Sequence, residues 1–246
     1  MPGSLDPYTP EELWGVFSAE FGSTNKHLLI LLSLAVGVYA QRAMELGVGP
    51  STRALRAAMK ITGGRLWSCD IDRPRFAENL PRQDEHWSLA LCPSGEFFRS
   101  LEPPFDFAFH DAAHDYWQVK EDLRRMLPLM RRYALICIHD TQNSLYGQTL
   151  VRAIEDAVKD SSVAYVHLPF SMGLTIIRVE GSPHPPISTP WRWDGDEART
   201  LFVPSPMLPA SPTETPRTYY RGDRLKHLVR KAFPRLTWRY YSRSRD

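Results

Sequence analysis

Residues 42–72, RAMELGVGPSTRALRAAMKITGGRLWSCDID, decide the fold. A short apolar run, Ala43–Leu46, meets a turn of small residues, Gly47-Val48-Gly49-Pro50-Ser51-Thr52. An Ala/Leu/Arg-rich helix is expected over Arg53–Lys60, stopped by Gly63-Gly64. A second strand, Arg65–Asp70, ends in Asp70-Ile71-Asp72. Strand, glycine turn, helix, strand and acid make half of a nucleotide-binding α/β unit. Gly47 and Gly49 let backbone pass close to a ligand. Pro50 suits a first helical position, and Ser51 or Thr52 can cap the free N–H groups. Asp70 emerges beside the turn, where a carboxylate can accept both hydroxyls of a ribose. A plain tight turn and a solvated strand end would use the same letters. The acid placed about 20 residues on, within a βαβ unit, tips the reading toward a cofactor site.

Outward from this unit the chain keeps alternating. A helix is expected to start at Thr9-Pro10-Glu11-Glu12 and a second over about Thr24–Tyr39. A short helix is expected at Arg73–Asn79, a strand at Trp87–Leu91 and a helix near Glu96–Ser100. Phe105–His110 reads as a strand, Tyr116–Arg131 as an amphipathic helix that Pro128 can end early, and Ala134–Ile138 as the fifth strand. A helix through Val158 precedes two closely spaced strands, Ala164–Leu168 and Gly173–Val179. Such a pattern predicts an α/β fold: a Rossmann-like, mostly parallel seven-stranded sheet with an antiparallel last strand and helices on both faces. The last two strands are too close in sequence for a parallel crossover.

Composition sets the limits. The chain has 246 residues with 43% apolar content, enough for one α/β domain with appendages. The net charge of +2 is unevenly placed. Residues 217–246 hold ten Lys/Arg against two acids, which leaves a net −6 on residues 1–216. Nine prolines in residues 181–216 predict a stiff irregular segment. Beyond it, Leu225, Leu228, Val229, Ala232 and Phe233 recur at helical spacing among basic residues. The expected organisation is an extension over 1–23 with a disordered start over 1–9, a domain over 24–180, the Pro-rich segment over 181–216 and a basic amphipathic tail over 217–246. Cys69, Cys92 and Cys137 make neither a disulfide framework nor a zinc pattern. Leu28–Ala40 is apolar but only 13 residues long, too short to span a bilayer. The reading is a buried helix in a cytoplasmic protein.

Chemistry in an open α/β sheet collects at the C-terminal strand ends. Three of these carry Asp: Asp70, Asp111 and Asp140. Two carboxylates on neighbouring ends can share one hard cation such as Mg²⁺. A cation there can bind vicinal substrate oxygens and lower a hydroxyl pKa. Each Asp alone is more often a turn or capping residue. His114, three residues after Asp111, adds weight to the functional reading.

The segment E-L-G-V-G followed by S-T-R-A-L resembles motif I of class I S-adenosylmethionine-dependent methyltransferases, with a turn one or two residues shorter than E-x-G-x-G-x-G. Further on come D-A-A-H-D-Y-x-x-V-x-x-D-L, L-I-C-I-H-D-T and F-S-M-G-L-T-I-I-R. Together they resemble the group containing macrolide-sugar and cephalosporin-pathway O-methyltransferase-like proteins, and more distantly catechol-type O-methyltransferases. The resemblance covers residues 24–179. It implies that Glu45, Gly47 and Gly49 line the methionine side of S-adenosylmethionine, that Asp70 holds the ribose and that Ser94 lies beside the adenine. It implies metal ligation by Asp111 and Asp140, with Thr141 where catechol-type enzymes place Asn, and Asn143 as a substitute if its loop curls back. His114 takes the place of their catalytic Lys and is the candidate base, with Asp111 beside it. A histidine can serve near neutral pH without a large shift. His110 and His139 are alternatives, read as structural. The implied reaction is methyl transfer to a hydroxyl of a small molecule or sugar, with Mg²⁺ assistance.

Two other readings compete. One is a nucleotide-dependent oxidoreductase with NAD ribose on Asp70. The incomplete G-x-G-x-x-G, with Thr52 at its third position, and the paired last strands speak against it. The other is a non-catalytic scaffold whose basic tail binds an anionic membrane surface or nucleic acid. Trp238-Arg239-Tyr240-Tyr241 suits such partners, and also suits contacts between copies in a homo-oligomer.

Overall fold

The structure, a computed structural model, describes residues 5–18, 24–73 and 82–187. Nearly all of the expected Arg73–Asn79 helix, most of the Pro-rich segment with Trp191-Arg192-Trp193, and the basic tail lie outside the described residues.

Helix α1 (Pro10–Ser18) starts at a reciprocal cap: the Glu12 amide donates to Thr9 Oγ1 at 3.2 Å and the Thr9 amide to Glu12 Oε2 at 2.9 Å. A 3₁₀ turn (Thr24–His27) leads into α2 (Leu28–Gly37). The expected single helix over 24–39 is therefore split and shorter, and it ends where Tyr39 takes a left-handed φ of 52°. The strand β1 (Arg42–Leu46) is followed by α3 (Pro50–Thr62) and β2 (Arg65–Asp70). Pro50 is the first residue of α3, and Gly63 closes it at φ 72°. Next come β3 (Trp87–Leu91), α4 (Ser94–Ser100), β4 (Phe105–His110) and α5 (Tyr116–Met126). β5 (Met130–His139), α6 (Gly147–Val158), β6 (Val163–Leu168) and β7 (Leu174–Val179) complete the order.

The seven strands stand in the order β3-β2-β1-β4-β5-β7-β6. β7 runs antiparallel to both β5 and β6, while β1 to β5 pair in parallel. Each face of the sheet is covered. Phe107 and Phe109 pack with Leu31, Leu55 and Met59 of α2 and α3. Ala108 and Ile136 pack with Phe97, Leu123 and Ile154 of α4, α5 and α6. The alternation along β4 is what lets one strand serve both layers.

Two expectations are corrected. The fifth helix ends at Met126, because Pro128 sits in a 3₁₀ turn and Met130 already pairs with Phe105 as the start of β5. The start expected to be disordered is docked from Leu5 onward. Leu5 O accepts from the Arg56 guanidinium, Asp6 O accepts from Arg53 Nε at 2.6 Å, and the Arg53 guanidinium lies 3.8 Å over the Tyr8 ring. Among the described residues no helix is long and apolar enough to cross a membrane. Leu28, Leu31 and Ala35 of α2 are buried instead.

Candidate active site

Strand register brings the site together. Leu46 pairs with Cys69 on one side and His110 on the other, and His110 pairs with Ile138. One residue further, Asp70, Gly47, Asp111 and His139 therefore form a row along the C-terminal edge of the sheet. Asp140 follows, held at φ 62°.

The first half of the row borders a cavity of about 610 Å³, the size of a small-ligand site. Gly47, Val48 and Asp70 line it from one side, Ser94, Gly95 and Gln118 from another, and Asp111 reaches it as well. Asp70 is fixed by the backbone around it. Its Oδ2 accepts from the Val48 amide at 3.0 Å and its Oδ1 from the Asp72 amide at 2.8 Å. Ser94 Oγ donates to Asp122 at 2.7 Å and accepts from Gln118 Nε2 at 3.0 Å. Asp122 is buried, with His110 Nε2 at 3.1 Å. His110 thus supports the wall beside Ser94.

The two glycines of the turn differ. Gly47 has φ +85°, and a β-carbon there would fall 2.1 Å from the Asp111 carbonyl oxygen. Gly49 is extended at φ −170° and has open space around it, so its conformation suits any residue.

Glu45 does not line the cavity. It is fully buried beneath the turn, where its oxygens accept from Ser51 at 2.8 Å, Thr52 at 2.8 Å and Ser68 at 2.7 Å. Thr52 in turn accepts from the Gly49 amide at 3.1 Å, and Ser68 from Trp87 Nε1 at 3.0 Å. Glu45 ties β1, the turn, α3 and β2 together. Burial pushes its carboxyl up to about 7, against the three hydroxyl donors.

The second half of the row is a compact cluster. Ligand atoms of Asp111, His139 and Asp140 lie within 4.8 Å of one another. His139 Nδ1 is 3.3 Å from Asp111 Oδ1 and 3.2 Å from Asp140 Oδ1, without hydrogen-bond geometry. His114 Nε2 is 3.7 Å from Asp111 Oδ1 and 3.2 Å from Asp140 Oδ2. Tyr146 Oη donates to Asp140 Oδ2 at 2.7 Å. Burial acts to raise Asp111 and Asp140, but the histidines (and Tyr146 at Asp140) outweigh it and both end below the usual carboxylate range. Contact with Asp111 and then Asp140 raises His114 to about 9. The expectation of an unshifted histidine is corrected: two carboxylates flank it.

The donor set fits a divalent cation. His139 is 2% exposed, yet neither ring nitrogen has a hydrogen-bond partner, and Asp140 Oδ1 and Thr141 Oγ1 are buried in the same condition. Native interiors rarely leave such atoms unsatisfied. Asn143 Oδ1 accepts from the Leu145 amide at 3.0 Å, the local turn of a loop.

Sequence reasoning missed three members: His139, read as structural; Tyr146, on which no role was placed; and His27, whose ring meets that of His139 edge-on with centroids 5.0 Å apart. The available signal for His139 was the repeated His-Asp pair at the ends of β4 and β5. Nothing in the local sequence marked His27.

Residues 44–141 match the model of a family described as a methyltransferase domain. No curated protein matches the chain. Among solved structures, the SAH-bound methyltransferase PaMTH1 of Podospora anserina is similar, with TM-score 0.53 and 18% identity over 70% of this chain and 87% of that one. The O-methyltransferase TomG of Streptomyces achromogenes, solved with SAM, has TM-score 0.51 and 18% identity over 71% and 92%. A Staphylococcus aureus protein described as a putative caffeoyl-CoA O-methyltransferase has TM-score 0.53 and 13% identity over 69% and 88%. The strand order with its one antiparallel member and the matched segment converge: the chain has the class I methyltransferase fold, and its residues 44–141 match the methyltransferase-domain family.

Proposed function

We propose that the protein transfers the methyl group of S-adenosylmethionine to a hydroxyl of a small molecule or sugar. The observation that carries the reading is the position of Asp111. It borders the cavity that Gly47 and Asp70 line, and it belongs to the cluster with His139 and Asp140. A cofactor pocket and an acceptor-activating cluster thus share one residue. Support also comes from similar structures that hold SAH or SAM.

When bound, the cofactor supplies an electrophilic methyl carbon, whose bond to sulfur breaks as its bond to the acceptor oxygen forms. Asp70, already oriented by the Val48 and Asp72 amides, presents carboxylate oxygens to a ribose. Ser94 and Gln118 form the wall toward the adenine. Glu45 holds the turn from below and takes no part in contacting the ligand. A divalent cation on Asp111 and Asp140 would supply Lewis-acid lowering of the acceptor hydroxyl's pKa. His114, which the two carboxylates keep protonated while no cation is bound, would give up that proton once a cation took Asp111 and Asp140, and would then receive the hydroxyl proton. The remainder of catalysis is positioning.

Calorimetry of S-adenosylhomocysteine binding tests the reading. Asp70→Ala is expected to weaken binding about tenfold to a hundredfold, the range for a hydrogen bond involving a charged group. Wild-type protein that bound NADH and not S-adenosylhomocysteine would overturn the reading in favour of an oxidoreductase.

A further inference from the structure

The expected Mg²⁺ site is an all-oxygen site, and the cluster is not. Mg²⁺ takes oxygen ligands, with its donors about 2.1 Å away and several waters retained. Here a buried imidazole nitrogen stands between the two carboxylates. Two donors at right angles, each about 2.1 Å from a metal, are about 3.0 Å apart, and in a tetrahedral site about 3.4 Å. His139 Nδ1 lies 3.3 and 3.2 Å from the carboxylate oxygens of Asp111 and Asp140, inside that interval.

The proton inventory points the same way. His27 Nε2 is 3.1 Å from the Phe170 carbonyl, which can only accept, so this nitrogen carries the proton. Its Nδ1 is then a lone pair, buried and without a hydrogen-bond partner. The ring it belongs to meets the His139 ring edge-on. His139 Nε2 is likewise buried without a hydrogen-bond partner, while Nδ1 faces the two carboxylates. Nδ1 and the two carboxylate oxygens, all within 4.8 Å of one another, form a donor set that can hold a cation.

We propose that His139 Nδ1, with Asp111 and Asp140, binds a divalent transition-type cation of the Mn²⁺, Fe²⁺, Co²⁺ or Zn²⁺ class in preference to Mg²⁺. Imidazole suits these ions, whereas carboxylate-only sets suit Mg²⁺. His27 packs edge-on against the His139 ring, with centroids 5.0 Å apart. The inference sharpens the cation invoked in the reading above, but it rests on the donor geometry, so a failed methyl-transfer assay leaves it standing.

The test measures metal binding alone, on the full chain. Equilibrium dialysis with elemental analysis compares Mg²⁺, Mn²⁺ and Co²⁺ at equal free concentration. One equivalent of Co²⁺ or Mn²⁺ is expected, bound at least tenfold more tightly than Mg²⁺. His139→Gln is expected to lose at least tenfold in Co²⁺ affinity, with Mg²⁺ affinity changed less than threefold. Equal affinities in the wild type, or an unchanged Co²⁺ affinity in the variant, would overturn the proposal. If His139→Gln does not fold, pulsed electron paramagnetic resonance of Mn²⁺-loaded wild type decides the matter without a variant. ¹⁴N modulation from a directly bound imidazole is expected, and its absence refutes nitrogen ligation.

Discussion

Gly47 and Asp111 are packed through their backbones: a β-carbon added to Gly47 would fall 2.1 Å from the Asp111 carbonyl oxygen. The turn after β1 and the end of β4 are therefore one packed unit. Gly47→Ala is expected to force both apart, since alanine is also strained at φ +85°. The variant should lose at least about 2 kcal/mol of stability by urea denaturation. Its residual folded fraction should bind S-adenosylhomocysteine weakly. Gly49→Ala, at an extended and open position, should be tolerated in both measurements.

Glu45 makes stability depend on pH. Its folded pKa, raised by burial to about 7, exceeds its ordinary value of 4.5, so the folded state holds the proton to higher pH. The contribution is complete below about pH 4.5 and is lost as pH rises through 7, amounting to about 3 kcal/mol at most. Glu45→Gln should flatten that slope in thermal melts between pH 4.5 and 7. Glu45→Ala should be worse at every pH, because Ser51, Thr52 and Ser68 lose their acceptor.

His114 gives the opposite half of the pH axis. Asp111 and Asp140 raise it from 6.5 to about 9 in the metal-free protein. Its stabilisation is complete below pH 6.5 and disappears as pH rises through 9. The melting temperature of wild type relative to His114→Gln should therefore narrow between pH 6 and pH 9.5. A difference that stays constant over that interval would show that the carboxylates do not hold the histidine charged.

Asp122 anchors one wall of the cavity through His110, Ser94 and Gln118. Asp122→Ala leaves a buried histidine and a serine hydroxyl without their acceptor. A loss of at least about 2 kcal/mol is expected in denaturant unfolding. Ser94→Ala, which removes one hydroxyl and leaves the His110 pair intact, should cost about 1 kcal/mol.

Much of this architecture was readable in the letters. β2, β3 and β4 run over the residues that their apolar patterns mark, because each is bounded by glycine, proline or an acid and filled with strand formers. Asp70, Asp111 and Asp140 were found because strand ends can be located in sequence. What pattern could not supply was register. His110-Asp111 and His139-Asp140 look alike, yet the pairing of His110 with Ile138 sets β5 one residue ahead. The first histidine therefore turns to a buried aspartate on α5, and the second comes level with Asp111. Glu45 was misplaced for a related reason. The hydroxyls that claim it, on Ser51, Thr52 and Ser68, are seen only once β2 lies against β1. His27 is a tertiary neighbour, 112 positions from His139, and no local pattern anticipates such a contact.

The strand order has a consequence for synthesis. β7, last of the described strands to be translated, is inserted between β5 and β6. Its approach also brings Met172 O within 2.6 Å of the Gln142 amide, two residues past Asp140, and seats Gly173 against that backbone. A nascent chain released before residue 179 leaves β5 with a bare edge and the loop after Asp140 unbraced. The cluster of Asp111, His139 and Asp140 is therefore braced on that side only when the final hairpin arrives.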